Sequence, residues 1–122
     1  MVFVGTVLKV IDNSGAKKVK CLKILGSSRR KYGFVGNPMI VSVQTINPLK
    51  KIKKGEIYRA ILVSIKKGKK RLNGSTVTFD CNSVVIVNNK NLPLATRILR
   101  PVMAELRTYK YGKIISMSTS AI

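Results

Sequence analysis

The sequence predicts a mainly β domain, a small closed or nearly closed barrel followed by a short, mostly helical tail. Five or six short β-branched runs, separated by glycine, proline and asparagine turn signals, occupy residues 1–90, and after Asn88-Asn89-Lys90-Asn91 those runs stop. A chain of 122 residues builds one core and has little left with which to cover sheet edges. Closing the sheet on itself removes those edges. The expectation is therefore one domain, with the barrel over 1–90 and the tail over 91–122.

The first strand is expected over Thr6 to Ile11 and ends at Asp12-Asn13-Ser14-Gly15, a run of turn formers. Val19 to Leu25 returns as its hairpin partner, with Val19 and Cys21 on one face and Lys20 and Lys23 on the other for part of the run. Gly26-Ser27-Ser28 opens a loop that carries Arg29-Arg30-Lys31. Gly33, Gly36 and Pro38 then punctuate the chain before a strand at Met39 to Ile46. Asn47-Pro48 breaks that strand, and Lys50, Lys51, Lys53 and Lys54 lead to Gly55. Ile57 to Ile65, with Ala60-Ile61-Leu62-Val63 at its centre, reads as a central strand, too short for a buried helix to be the better reading. Lys66-Lys67-Gly68-Lys69-Lys70-Arg71 precedes Asn73-Gly74, the strongest hairpin signal in the chain, and strands follow at Thr76 to Phe79 and Val84 to Val87. In the tail, Pro93 sets a corner and Pro101 suits the first turn of a short helix through Val102 to Arg107, where Arg107 meets the negative end of the dipole. A second short helix is expected over Tyr111 to Met117.

The charge excludes whole classes of function. Twenty-four Lys and Arg face only Asp12, Glu56, Asp80 and Glu105, a formal net charge of +20 with no histidine. A merely solubilising surface usually mixes its signs, so a polyanion whose condensed counterions are released on binding is the better explanation. A membrane surface is the weaker rival, because no long basic amphipathic helix and no run of spanning length is present. An enzyme such as a ribonuclease is remote: without histidine, and with its acids scattered over different elements, the chain has no obvious general acid–base pair. Asp12 is expected to stabilise its turn, and Glu56 and Glu105 to pair with nearby cations. Gly68-Lys69 and Gly112-Lys113 lack the spacing of a phosphate-binding loop. Cys21 and Cys81, each in an apolar strand-like run, read as buried free thiols; with no histidine they cannot fill a zinc site, and no cofactor is implied.

The basic residues gather at Lys17-Lys18, Arg29-Arg30-Lys31, Lys50 to Lys54 and Lys66 to Arg71, each in or beside a predicted turn. Several cationic fingers around a rigid barrel suit phosphates of several RNA segments better than the single recognition helix of a duplex-DNA reader. Tyr32 and Phe34 are candidates to stack on unpaired bases, with core packing at least as strong an expectation for Phe34.

At this point the residues resemble a known family. Leu8 to Lys18, with Asp12-Asn13-Ser14-Gly15-Ala16 at its centre, is similar to the N-terminal hairpin of universal ribosomal protein fourteen of the large subunit. Lys53-Lys54-Gly55 followed by the central strand also resembles the family, and Ala60-Ile61-Leu62-Val63, Asn73-Gly74, Phe79, Asn82 and Val84-Val85-Ile86 match its signature. Thr96-Arg97-Ile98, Pro101-Val102, Glu105-Leu106-Arg107 and Lys113-Ile114-Ile115-Ser116 match the family's tail in the same register. The resemblance implies a five-stranded β-barrel with hairpin extensions and a short helical C-terminal region, a structural constituent of the large subunit that binds its rRNA. It implies a place at the subunit interface, a bridge to small-subunit rRNA, and contacts with neighbouring large-subunit proteins three and nineteen. It also implies docking of a ribosomal silencing factor on Thr96, Arg97, Lys113 and Ser116, with Arg107 part of the protein and intersubunit surface. Ala95 and Arg100 depart from the family's glycines, Asn37-Pro38 from its Gly-Asp-aliphatic turn, and Leu49 from its arginine.

The start Met1-Val2-Phe3-Val4-Gly5 has neither signal-peptide nor transit-peptide character, which predicts a protein made where it works. Together with abundant Ile, Lys and Asn, this points to an organelle-encoded protein of a mitochondrion, ahead of a plastid or a bacterium. The alternative function is a free-standing barrel that binds single-stranded nucleic acid as a chaperone or translation factor.

Overall fold

The computed structural model describes residues 2–26, 32–50, 52–109 and 111–122, the side chain of Lys69 excepted. Its strands are β1 (Val2–Phe3), β2 (Val7–Val10), β3 (Ala16–Ile24), β4 (Tyr32–Gly33), β5 (Pro38–Ile46), β6 (Ile57–Ser64), β7 (Lys69–Lys70), β8 (Thr76–Val77) and β9 (Ser83–Val87). Five of them close a barrel in the order β2-β3-β5-β6-β9. Each neighbouring pair is antiparallel except β2 with β9. With an odd number of alternating strands the first and last must run the same way, so the seam pairs Lys9 with Ser83 and Val10 with Val84 in parallel.

Alternation along β2 sends Leu8 and Val10 inward and Val7 and Lys9 out. By contrast, residues 60–64 of β6 and all of β9 are buried on both faces. The reason is the tail. Ile98, Val102, Met103 and Leu106 are completely buried and Ile114 nearly so, all in one cluster with the barrel residues. The tail also bonds to the barrel's backbone: Leu94 N–H to Ile86 O at 3.2 Å, Leu99 N–H to Ile11 O at 2.8 Å, and Met103 N–H to Val63 O at 3.0 Å. The apolar run at Ala60 to Val63 therefore records a strand covered inside and out.

Two small ribbons extend from the barrel. One pairs β1 with β4, placing Val2 opposite Gly33 and Phe3 opposite Tyr32. The other pairs β7 with β8 around the Asn73-Gly74 turn expected from sequence, where Gly74 takes φ +88 and Asn73 Oδ1 accepts from the Ser75 N–H at 3.0 Å. The strand expected over Thr76 to Phe79 is only the two residues of β8.

The tail corrects a second expectation. In place of a helix from Pro101 through Arg107, a 3-10 turn covers Ala104–Arg107 alone. Val102 and Met103 stay extended because their backbone is engaged elsewhere: Val102 N–H donates to Ser120 O at 3.1 Å, and Ile122 N–H donates to Val102 O at 2.9 Å. The second helix, α1 (Gly112–Met117), lies where expected. Among the described residues Asn91, at φ 62, is the one non-glycine with positive φ. Ala95 and Arg100 therefore sit in conformations that do not require the family's glycines.

Candidate nucleic-acid interface

The cationic clusters are mounted in different ways. Lys17 and Lys18 lie side by side on β3, both exposed. Irregularities in the β3–β5 register on either side of Lys18 break the alternation there and turn consecutive lysines to solvent. The loop after β5 folds back over the β2–β3 turn, with Asn47 N–H donating to Gly15 O at 2.8 Å. A Cβ at Gly15 would lie 2.4 Å from Cβ of Lys50, and φ there is +114, so both the contact and the backbone demand glycine. Lys50 is thereby held beside the turn that leads into Lys17.

Lys53 and Lys54 are exposed at the β5–β6 connection, anchored by buried Ile52. Glu56, expected to pair with a cation, instead accepts from the Lys53 N–H at 3.3 Å and from the Tyr58 hydroxyl, whose pKa that bond raises. Lys66, Lys67 and Lys70 are exposed along the loop and ribbon after β6, with the Lys66 N–H donating to Asn82 Oδ1 at 2.9 Å. Arg29, Arg30, Lys31 and Lys51 lie outside the described residues.

Arg71 departs from its cluster. Its Nε lies 3.0 Å from Glu105 Oε1, and its terminal nitrogen donates to Ile122 O at 2.5 Å. Among the described residues this is the one ion pair. Arg71 is thus committed to the tail, while the other described cations are left without a carboxylate.

Reading clusters at turns overlooked the barrel's outer face. Lys9 of β2 and Lys18 of β3 are exposed cross-strand partners, and Lys20 follows Lys18 on the same face. Like charges placed opposite each other destabilise a sheet, so this stripe calls for an external anion. The signal was present in the alternation Leu8-Lys9-Val10 and Val19-Lys20-Cys21.

A second surface forms where the β2–β3 turn meets the tail. Asn13 Oδ1 accepts from the N–H groups of Thr96 and Arg97, each at 3.2 Å, and its Nδ2 donates to Thr96 Oγ1 at 3.0 Å. Ile98 N–H donates to Met117 O at 3.3 Å, which joins this segment to the end of α1 next to Ser116. Thr96, Arg97, Lys113 and Ser116 are all exposed on these linked segments. Arg107 is exposed at the end of the 3-10 turn, and no direct bond ties it to Thr96.

Core packing does not claim Phe34, which is 43% exposed and meets Tyr32 edge to face at 5.7 Å. Cys21 is buried, which pushes its thiol pKa up, whereas Cys81 departs from expectation: it precedes β9 and is only partly buried. Among the described residues no cluster of acids and cysteines could hold a metal ion, and no helix is long and apolar enough to cross a membrane. What the fold assembles is a cationic barrel with a stapled tail, in agreement with the family model described as Ribosomal protein L14p/L23e, which matches residues 1–122; the chain belongs to that family of structural large-subunit ribosomal proteins.

Proposed function

We propose that this chain binds large-subunit rRNA through Lys17, Lys18, Lys50, Lys53, Lys54, Lys66, Lys67 and Lys70, together with Arg29, Arg30, Lys31, Lys51 and Lys69. To these the barrel face adds Lys9 and Lys20. The observation that carries this reading is the cross-strand pair Lys9 and Lys18 amid exposed lysines that, among the described residues, no carboxylate pairs with. Phosphates would relieve that repulsion and release counterions. The role is structural, not catalytic. The stapled tail surface of Thr96, Arg97, Lys113 and Ser116, with Arg107 nearby, serves the intersubunit side: small-subunit rRNA, proteins three and nineteen, and a silencing factor. The bias toward Ile, Lys and Asn supports a mitochondrial ribosome.

In a sucrose gradient of mitochondrial extract at low salt with magnesium, the chain is expected to sediment with the large subunit; sedimentation as a free protein overturns the reading. On isolated rRNA, replacing Lys53 and Lys54 by glutamine is expected to lower the slope of log affinity against log salt by about one per lysine. An unchanged slope removes that pair from the interface.

A further inference from the structure

Next to the basic loop after β6 the structure holds a cleft of about 480 Å³. Buried Val35 and Ile65 line its floor, the half-exposed rings of Phe34 and Tyr109 line its sides, and exposed Lys67 and Lys70 complete it. We propose that this cleft takes one unpaired nucleotide of RNA, its base against the two rings and its phosphate on the lysines; the proposal rests on the RNA-binding reading above and gives it a base-binding site.

The rings are held in advance of any ligand. Asn37 Oδ1 accepts from the Phe34 N–H at 2.6 Å, and Tyr32 meets the Phe34 ring at an interplanar angle of 87°. Tyr109 lies nearly parallel to Tyr111, with centroids 6.4 Å apart. It also packs on Gly36, where a Cβ would come within 2.5 Å of the ring. Gly68, also in the lining, adopts φ +81, and a Cβ there would lie 2.5 Å from Val77 O, so the turn between Lys67 and Lys70 is held as well. Preformed walls reduce the ordering cost of binding. Aromatic side chains left 43% and 46% exposed beside cations are an arrangement with which proteins hold single-stranded bases.

The choice of occupant follows from the lining. It offers two aromatic rings, an apolar floor and two lysines, and among the described residues it includes no carboxylate. An apolar peptide would leave the lysines unused, and an acidic one would leave the rings unused. A nucleotide uses both.

The test compares wild-type protein with Phe34→Ala and Tyr109→Ala on a short oligoadenylate and on a blunt RNA duplex of equal charge. Each variant is expected to lose about tenfold in affinity for the oligoadenylate and to keep its affinity for the duplex. Because Tyr109 packs on Gly36, the double replacement of exposed Lys67 and Lys70 by glutamine provides a second measurement. It should flatten the oligoadenylate salt slope by about two. Wild-type binding of rRNA with ring variants indistinguishable from it overturns the cleft and leaves rRNA binding standing. Failure of the wild-type chain to bind either RNA overturns both. In the assembled subunit a photo-crosslinker at position 34 is expected to attach to a nucleotide; attachment to protein overturns the proposal.

Discussion

Among the described residues Asp12 is the one carboxylate that the fold buries, at 5% exposure. Its Oδ1 accepts from the N–H of Ser14 at 3.1 Å and from the Ser14 hydroxyl, while its Oδ2 accepts from the Ile86 N–H at 3.1 Å. It therefore stabilises its turn, as the sequence implies, and also ties that turn to β9. Burial raises its pKa, and the bonds from Ser14 and Ile86 offset this only in part. Asp12→Asn would remove the buried charge but set an amide N–H against either the Ile86 or the Ser14 N–H. The loss of that acceptor costs about 1–3 kcal/mol, and chemical denaturation at neutral pH is expected to show it. The pH dependence has a definite sign. Because the folded carboxyl holds its proton more tightly than the unfolded one, its contribution is greatest below the ordinary value of about 3.9 and declines as pH rises through the raised folded value. The stability gap between wild type and Asp12→Asn should narrow over that window; a gap that widens contradicts the assignment.

At the scale of elements, what was legible in the sequence is what depends on neighbours along the chain. The Asp12 to Gly15 turn, the Asn73-Gly74 ribbon and the long strands, with the apolar run at Ala60 to Val63 as a central one, are all written in local chemistry, whereas the tail that covers that run from outside is not. What was not legible depends on a distant partner. The irregularities of β3 arise from its pairing with β5, so Lys17 and Lys18 look like an alternating pair until that register is known. Val102 to Arg107 has good helix formers, but the backbone at Val102 is taken up by Ser120 and Ile122. Arg71 belongs by sequence to a basic run, yet its carboxylate comes from Glu105, on the 3-10 turn. The contrast with a free lysine is measurable. Arg71→Gln should lower stability by about 1 kcal/mol, as a partly exposed pair of 30% and 14% side-chain exposure would. It should leave the rRNA salt slope nearly unchanged, whereas Lys54→Gln changes the slope and spares the stability. A large slope change for Arg71→Gln would place that side chain on phosphate.

For the whole molecule, one variable should drive folding and binding in opposite directions. A net charge of +20 on 122 residues makes the free chain repel itself, and raising salt from about 0.1 M to 1 M shortens the screening length from about 10 Å to 3 Å. The single described ion pair, Arg71 with Glu105, is weakened by the same screening. One partly exposed pair is outweighed by many mutually repelling lysines. The melting temperature of the free protein should therefore rise across that range, while its affinity for rRNA falls. Lys18→Gln isolates the cause, because Lys18 faces Lys9 directly across the β2–β3 ladder. At low salt the variant should melt higher than wild type and bind rRNA more weakly, and at high salt its thermal advantage should disappear. If Lys18→Gln melts lower than wild type at low salt, Lys18 contributes more through packing of its stem than it costs through charge, and the stripe of Lys9, Lys18 and Lys20 is then not the strained surface that seeks an anion.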